Sequence, residues 1–131
     1  MTWYDTQTST TSINFTEWNN MVDVIRQFPV VLFDDNDTET LTLNQNIIVG
    51  DTTAGAIALT LPEAADSLGK QYTIFLETDG GSNITVTCAG SDTLDGSNTI
   101  GTLADAEDYI QLVAVSDDRW LILINNGVAL S

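Results

Sequence analysis

The sequence predicts a mainly β protein: a small antiparallel β-sandwich, jelly roll or barrel of about eight strands, with an N-terminal arm and one short helix. Three observations support this fold class. Thr and other β-branched residues dominate the segments after residue 29, several segments alternate between apolar and polar residues, and Gly, Asp and Asn clusters separate them. The chain has 131 residues, of which 43% are hydrophobic, so one domain with a hydrophobic core is expected.

The N-terminal region predicts an arm followed by a helix. Residues 1–14 are polar and rich in Thr, whereas apolar residues recur every three or four positions over residues 15–28. Asn14 can cap the first turn, Arg26 suits the last turn, and Pro29 blocks continuation. The apolar stripe of this predicted helix consists of Phe15, Trp18, Met21, Val22, Ile25 and Phe28.

The predicted helix needs a surface to lie against, because a helix of this length is marginal on its own in water. The stripe fits three arrangements: packing on its own β domain, packing on copies of itself in a trimer seam, and docking on another protein. We therefore divide the chain into residues 1–28, an attachment or oligomerisation region, and residues 29–131, the β domain.

The β domain is expected to contain short strands at regular spacing. The candidates are Val30–Phe33, Leu41–Leu43, Asn46–Val49, Ile57–Leu61, Tyr72–Glu77, Ile84–Cys88, Tyr109–Val115 and Trp120–Ile124. The last candidate is apolar on both faces, which predicts a central or doubly covered strand. Residues 61–70 are predicted to form a linker with one helical turn, because Pro62 suits a first helical position and Gly69 suits an end.

The charge of the chain limits its partners. Nineteen acidic residues face only Lys70, Arg26 and Arg119, which gives a formal net charge of -16. Phosphate backbones and anionic lipids repel such a chain, so neither nucleic acid nor a membrane is an expected partner. One interpretation is adaptation to molar salt, which screens the self-repulsion; the alternative is an ordinary acidic soluble protein with many Asp-containing turns.

The composition includes few of the residue types that catalysis usually requires. The chain has no His, the commonest general base, and a single cysteine, Cys88, which falls in phase with Ile84 and Val86 and is expected to be buried. We expect no enzymatic activity, no catalytic residues and no cofactor. Residues 1–5 lack the basic and apolar regions of a signal peptide, and no segment reaches the length of a membrane helix.

One acidic cluster deserves comparison with calcium sites. It consists of Asp34, Asp35, Asn36, Asp37 and Glu39. Oxygen ligands at alternate positions suit Ca²⁺, and a threefold axis could bring three clusters together. The EF-hand pattern fails, since the required Gly and the final Glu are missing, so a solvated turn is the alternative and no metal site is predicted.

Five segments of the β domain, taken in order, resemble a module of tailed-virus proteins. They are LTLP at 59–62, GKQYTI at 69–74, NITVT at 83–87, GSDTLDG at 90–96 and RWLI at 119–122. The module recurs in capsid-decoration, head-spike and tail-fibre proteins of bacteriophages and haloarchaeal viruses, and the resemblance covers about residues 55–125. The segment 13–22 is also similar to a helix found near such modules.

The resemblance implies a homotrimeric virion protein on the capsid surface, with the major capsid protein as its partner. The short chain favours a capsid-decoration (cement) or head-spike protein over a long fibre. Besides the helix stripe, Trp3 and Tyr4 are candidate anchors in a capsid or subunit pocket; the alternative is that they fold back on their own domain. The second functional interpretation is a receptor- or glycan-binding module that uses loop tips such as 79–82 or 95–98.

Overall fold

A computed structural model describes residues 30–34 and 36–131 of the chain. These residues form eleven β-strands and one short 3-10 helix, Ala64–Asp66, within the predicted linker. The strands are β1 (Val30–Phe33), β2 (Thr38–Thr40), β3 (Ile47–Asp51), β4 (Ile57–Thr60), β5 (Gln71–Thr78), β6 (Ile84–Thr87), β7 (Thr93–Leu94), β8 (Ile100–Leu103), β9 (Tyr109–Ser116), β10 (Arg119–Asn126) and β11 (Ala129–Leu130). The predicted mainly β class is confirmed.

The strands form two sheets that share one core. Sheet A has the order β1-β3-β5-β9-β10-β7, and sheet B has the order β11-β8-β6-β4-β2. Inward-facing residues of both sheets belong to a single buried cluster, as expected for a sandwich. The strand count is higher than the predicted number of about eight.

The first six strands alternate between the two sheets. Strands β1, β3 and β5 lie in sheet A, strands β2, β4 and β6 lie in sheet B, and the chain crosses to the other sheet after each strand. As a result, each of β3, β4, β5 and β6 lies parallel to the strand two before it. This path winds the chain into a short two-sided coil. The sequence analysis expected antiparallel strands, whereas the four pairs in this half are parallel, because the chain crosses to the other sheet after each strand.

The second half adds antiparallel strands to this coil. Strand β9 pairs with β5 and β10 pairs with β9 in sheet A, while β8 pairs with β6 and β11 pairs with β8 in sheet B. The short strand β7 lies parallel to β10 at the edge of sheet A. Both sheets are consequently mixed.

The core is built around two aromatic rings and a close approach of the sheets. Tyr72 of β5 and Trp120 of β10 are fully buried, with ring centroids 5.5 Å apart, and the Tyr72 hydroxyl donates to the Thr42 carbonyl at 2.8 Å. Gly50 of β3 faces Ile84 of β6 so closely that a Cβ at this position would collide with the Ile84 Cδ1 atom. Side-chain size at this crossing thus sets how near the sheets lie.

Two of the predicted strands need correction. Residues 41–43 are not a strand; β2 ends at Thr40, and Leu41 is a buried loop residue whose N–H donates to the Thr60 carbonyl at 2.8 Å. Strand β10 is central, since it lies between β9 and β7 in sheet A, but it is not covered on both faces along its length, since Leu123 and Ile124 are each 45% exposed. The whole first predicted region, residues 1–28, with its predicted helix over 15–28, lies outside the described residues.

Candidate protein-contact surface

The outward side of sheet A forms a face that we call face A. Side chains alternate along each strand, so every second residue of β5 and β9 is buried and the residues between them point outward. Three rows of outward residues follow from the pairing register. They are Leu32, Val49, Phe75, Tyr109 and Asn126; Val30, Ile47, Thr73, Gln111 and Ile124; and Gln71, Val113 and Leu121.

Face A carries no charged residue in these three rows, although the chain has a net charge of -16. Most of its residues are aliphatic or aromatic. Leu32 is 70% exposed and Val30 is 55% exposed, and no other part of the described chain covers them. A contiguous apolar surface of this kind is typical of a site of contact with another protein segment.

The outward side of sheet B, face B, has a different chemistry. Its rows are Thr38, Ala58, Thr85, Thr102 and Ala129, followed by Thr40, Thr60, Thr87 and Ile100. Small hydroxyl-bearing side chains of this kind interact well with water and still suit a strand. The two faces therefore differ in chemistry, and face A is the more apolar of the two.

A shallow depression lies at the centre of face A. Its volume is about 260 Å³, and it is lined by Asn46, Ile47, Gln71, Thr73 and Gln111. The Gln111 side-chain amide donates to the Thr73 hydroxyl at 3.3 Å, which leaves the Gln111 carbonyl oxygen free to accept within the described part of the chain. The depression therefore presents neutral hydrogen-bonding groups with one aliphatic wall.

Lys70 lies beside the depression, in contact with its lining residue Asn46. Its Nζ donates to the Asn46 side-chain oxygen at 3.0 Å and lies 4.9 Å from the centre of the Tyr72 ring. Burial lowers the pKa of Lys70. Both contacts hold the ammonium group against the protein and fix the orientation of Asn46.

Acidic residues surround the opposite end of face A. Asp34, Asp51 and Glu77 line a second hollow together with Leu32 and Val49. Hydrogen bonds from the Thr53 side chain and backbone lower the pKa of Asp51. The apolar rows thus end in a charged, hydrated rim.

The predicted interface residues cannot be compared with face A directly. All of them fall in the part of the chain that precedes the described residues: Trp3, Tyr4, Phe15, Trp18, Met21, Val22, Ile25 and Phe28. Their role stays a prediction.

The described residues of the acidic cluster after β1 lie in the connection to β2 and in β2 itself. Asp34 and Asn36 are exposed, Glu39 accepts a hydrogen bond from Gln45 at 3.3 Å, and Asp35 lies outside the described residues. Over residues 30–34 and 36–131, no group of three or more His, Cys, Asp or Glu side chains is placed to hold a metal ion.

The loop tips and the cysteine have structural roles. The Asp79 carboxylate accepts the Gly81 N–H at 2.7 Å, and Asp95 and Gly96 both adopt positive φ, as in a tight turn of type I′. Cys88 is 6% exposed, as predicted, and burial together with the nearby Asp92 charge raises its pKa to about 11. The thiol is therefore protonated at neutral pH, which disfavours it as a nucleophile.

No protein-family model matches the chain, and no curated protein matches its sequence. Within residues 30–34 and 36–131, no helix is long and apolar enough to cross a membrane.

Face A was missed by the sequence analysis, although a signal for it exists. Strands β1 and β5 read VVLF and QYTIFLET, with apolar residues at both odd and even positions. One set of these positions fills the core, so the other set must either meet a second layer or stay exposed. Residues 120–124 show the same pattern, but half of β10 is exposed.

Proposed function

We propose that this chain is a virion structural protein of a tailed virus, a capsid-decoration or head-spike protein that trimerises and binds the capsid surface. It works by protein contact and catalyses no reaction. The observation that supports this proposal best is face A, whose three rows are largely apolar and carry no charge in an acidic chain. The resemblance of residues 55–125 to virion modules supplies the viral context.

The charge distribution explains why such a surface matters for assembly. A chain with a net charge of -16 repels its own copies and other acidic proteins, so a stable contact requires a neutral surface. The rows of both faces are neutral, and those of face A are also largely apolar. Under this proposal the acidic loops face the medium, while the attachment is made from the side of face A, where the N-terminal region joins the domain.

Light scattering on the purified full-length protein tests the trimer. We expect a mass of three times 14.1 kDa in molar salt. Loss of this trimer in dilute salt would indicate adaptation to a saline medium, because screening of the acidic charges is then required. A mass of 14.1 kDa under both conditions would contradict trimerisation in solution.

The second candidate function is glycan binding, and the depression on face A favours it. Side-chain amides and a hydroxyl line the depression, and Phe75 and Tyr109 lie in the adjacent row. Neutral amides next to half-buried aromatic rings can bind a sugar through hydrogen bonds and apolar contact. On this interpretation the chain would be a receptor-binding module of a tail fibre or spike.

An adsorption assay separates the two candidates. Free protein that blocks virus adsorption to its host, and loses this effect in Gln71→Ala, would favour glycan binding. Thr85→Ala on face B is the matched control. Free protein without effect on adsorption, combined with abundant protein in the particle, would favour the structural role.

A further inference from the structure

Face A begins at the strand that follows the N-terminal region directly. Val30, the first residue of β1, belongs to the second row of this face and is 55% exposed. Phe28, the last residue of the predicted apolar stripe, is separated from Val30 by Pro29 alone. Their Cα atoms are therefore at most about 7 Å apart, so the stripe ends at the edge of face A.

We propose that residues 15–28 of the same chain cover face A, with the apolar stripe packed against it. The two surfaces have matching chemistry, because an apolar stripe meets three rows without a charge. The inference goes beyond the proposed function, since it concerns how the chain folds and holds whether or not the protein belongs to a virion.

The dimensions of the two surfaces agree. Face A extends over five neighbouring strands, β1, β3, β5, β9 and β10, which corresponds to about 19 Å across the strands. Three rows correspond to about 14 Å along the strands. A helix over residues 15–28 would be about 21 Å long and about 10 Å wide, so one such helix covers most of the face.

The same dimensions argue against a second copy of the domain as the occupant. The face measures roughly 270 Å² in projection, from the spacing of strands and residues. A stable protein–protein interface needs about 800 Å² per partner. The accessible area of the face is larger than its projected area, because side chains project from it. Face A alone is nevertheless small for a stable pair of domains and suits one helix.

The covalent connection gives the chain's own segment a further advantage. A single residue links the predicted stripe to β1, and a short tether raises the effective concentration of a segment to the millimolar range. An external partner at micromolar concentration would compete at a large disadvantage. The segment of the same chain is therefore the expected occupant.

The central depression can accommodate Trp18. Its volume of about 260 Å³ falls just below the range of ordinary small-molecule sites and fits a large side chain. An indole ring needs an apolar wall and an acceptor for its N–H, and Ile47 and the Gln71 and Gln111 carbonyl oxygens offer both. With residues 15–28 in place, residues 1–14, including Trp3 and Tyr4, remain for contacts with other proteins.

Nuclear magnetic resonance on the full-length protein tests the contact without any substitution. We expect nuclear Overhauser effects between the Trp18 ring and the Ile47 methyl groups, and amide exchange over residues 15–28 slowed at least about tenfold relative to an unstructured peptide. A sample that mixes labelled and unlabelled chains identifies the source of these effects. Effects between different chains would overturn the proposal in favour of a second copy, and absence of both signals would overturn it altogether.

A matched pair of variants provides an independent test. Ile47→Thr places a hydroxyl on face A, and Ile100→Thr makes the same change at a half-buried position on face B. We expect Ile47→Thr to reduce the protection of residues 15–28 about tenfold, because it removes apolar contact with the stripe, and Ile100→Thr to leave it within about twofold. Equal effects of the two variants would overturn the proposal.

The two proposals fail in different ways. If residues 15–28 cover face A but the protein is absent from virus particles, the proposed function fails and the docking proposal stands. If the protein is present in particles but residues 15–28 do not contact face A, the docking fails and face A becomes available as the capsid contact.

Discussion

Asp108 organises the turn before β9 from a buried position. It is 6% exposed, and its Oδ2 atom accepts the N–H groups of Ala104 and Asp105, each at 3.0 Å. Gly127 faces this carboxylate with a positive φ of 78°, and a Cβ at Gly127 would collide with the Asp108 Oδ1 atom. The Asp108 carboxylate thus holds the turn through Oδ2 and leaves no room for a side chain at Gly127, directly after β10.

We expect Gly127→Ala to destabilise the protein more than Gly69→Ala. Both glycines have positive φ, 78° and 80°, which costs alanine about 1–2 kcal/mol, but only Gly127 has a neighbour in the way. Displacement of Asp108 should add about 1–3 kcal/mol from its lost hydrogen bonds. Urea unfolding of both variants measures the difference, and equal stabilities would contradict this role of Asp108.

Two buried groups should make stability fall at alkaline pH. Burial raises the pKa of Tyr72 from 10.0 to about 12, and burial with the Asp92 charge raises that of Cys88 from 9.0 to about 11. The unfolded chain releases these protons first, so stability present below pH 9 is lost as pH rises through the folded-state values. The variant Tyr72→Phe/Cys88→Ala should show a flatter decline above pH 9 in thermal unfolding. An unchanged slope would contradict the assignment.

At the scale of elements, the close approach of the sheets at Gly50 can be tested by a double-mutant cycle. Gly50→Ala places a methyl group against the Ile84 Cδ1 atom and should cost about 1–3 kcal/mol through overpacking. Ile84→Val removes that atom and should cost about 0.5–1.5 kcal/mol through a cavity. The double variant should lose less than the sum of both losses in urea unfolding. Additive losses would mean that the two residues do not compete for space.

The long strands could be predicted from the sequence, whereas the short ones could not. Alternation over residues 72–77 and 109–115 identifies β5 and β9 because each has enough residues to show a period. Strands β7 and β11 contain two residues each, which is too few for any pattern. Their pairing depends on the neighbouring long strands and not on local sequence preference.

The parallel pairing of the first six strands could not be predicted from the sequence either. Parallel orientation in β1, β3 and β5 depends on where the chain crosses between sheets, and short polar loops look the same in a hairpin and in a crossing. Face A shares this difficulty. Its rows bring together residues from five strands, so the surface exists only once the register is known.

At the scale of the molecule, the acidic charge should make stability depend on salt. Salt at about 1 M shortens the screening length to about 3 Å from about 10 Å at 0.1 M, which weakens repulsion among the acidic residues. We expect the free energy of unfolding to increase over this range, in NaCl and KCl alike. Thermal unfolding in both salts measures it, and stability independent of salt would contradict adaptation to a saline medium.

The polarity of the outward residues differs between the two sides of the domain. The largely apolar rows of face A lie on one side, and the hydroxyl-bearing rows of face B lie on the other. A domain of this kind can be attached along one side while it presents a hydrated surface on the other. The attached side is also the side on which the N-terminal region joins the β domain.

The number of copies of this chain in purified virus particles tests the proposed function most directly. Quantitative mass spectrometry can count the chain relative to the major capsid protein of the same particles. We expect hundreds of copies per particle, as for a protein that decorates the capsid surface. Complete absence from the particles would contradict a virion role, and a count in the tens or fewer would contradict capsid decoration and favour a fibre.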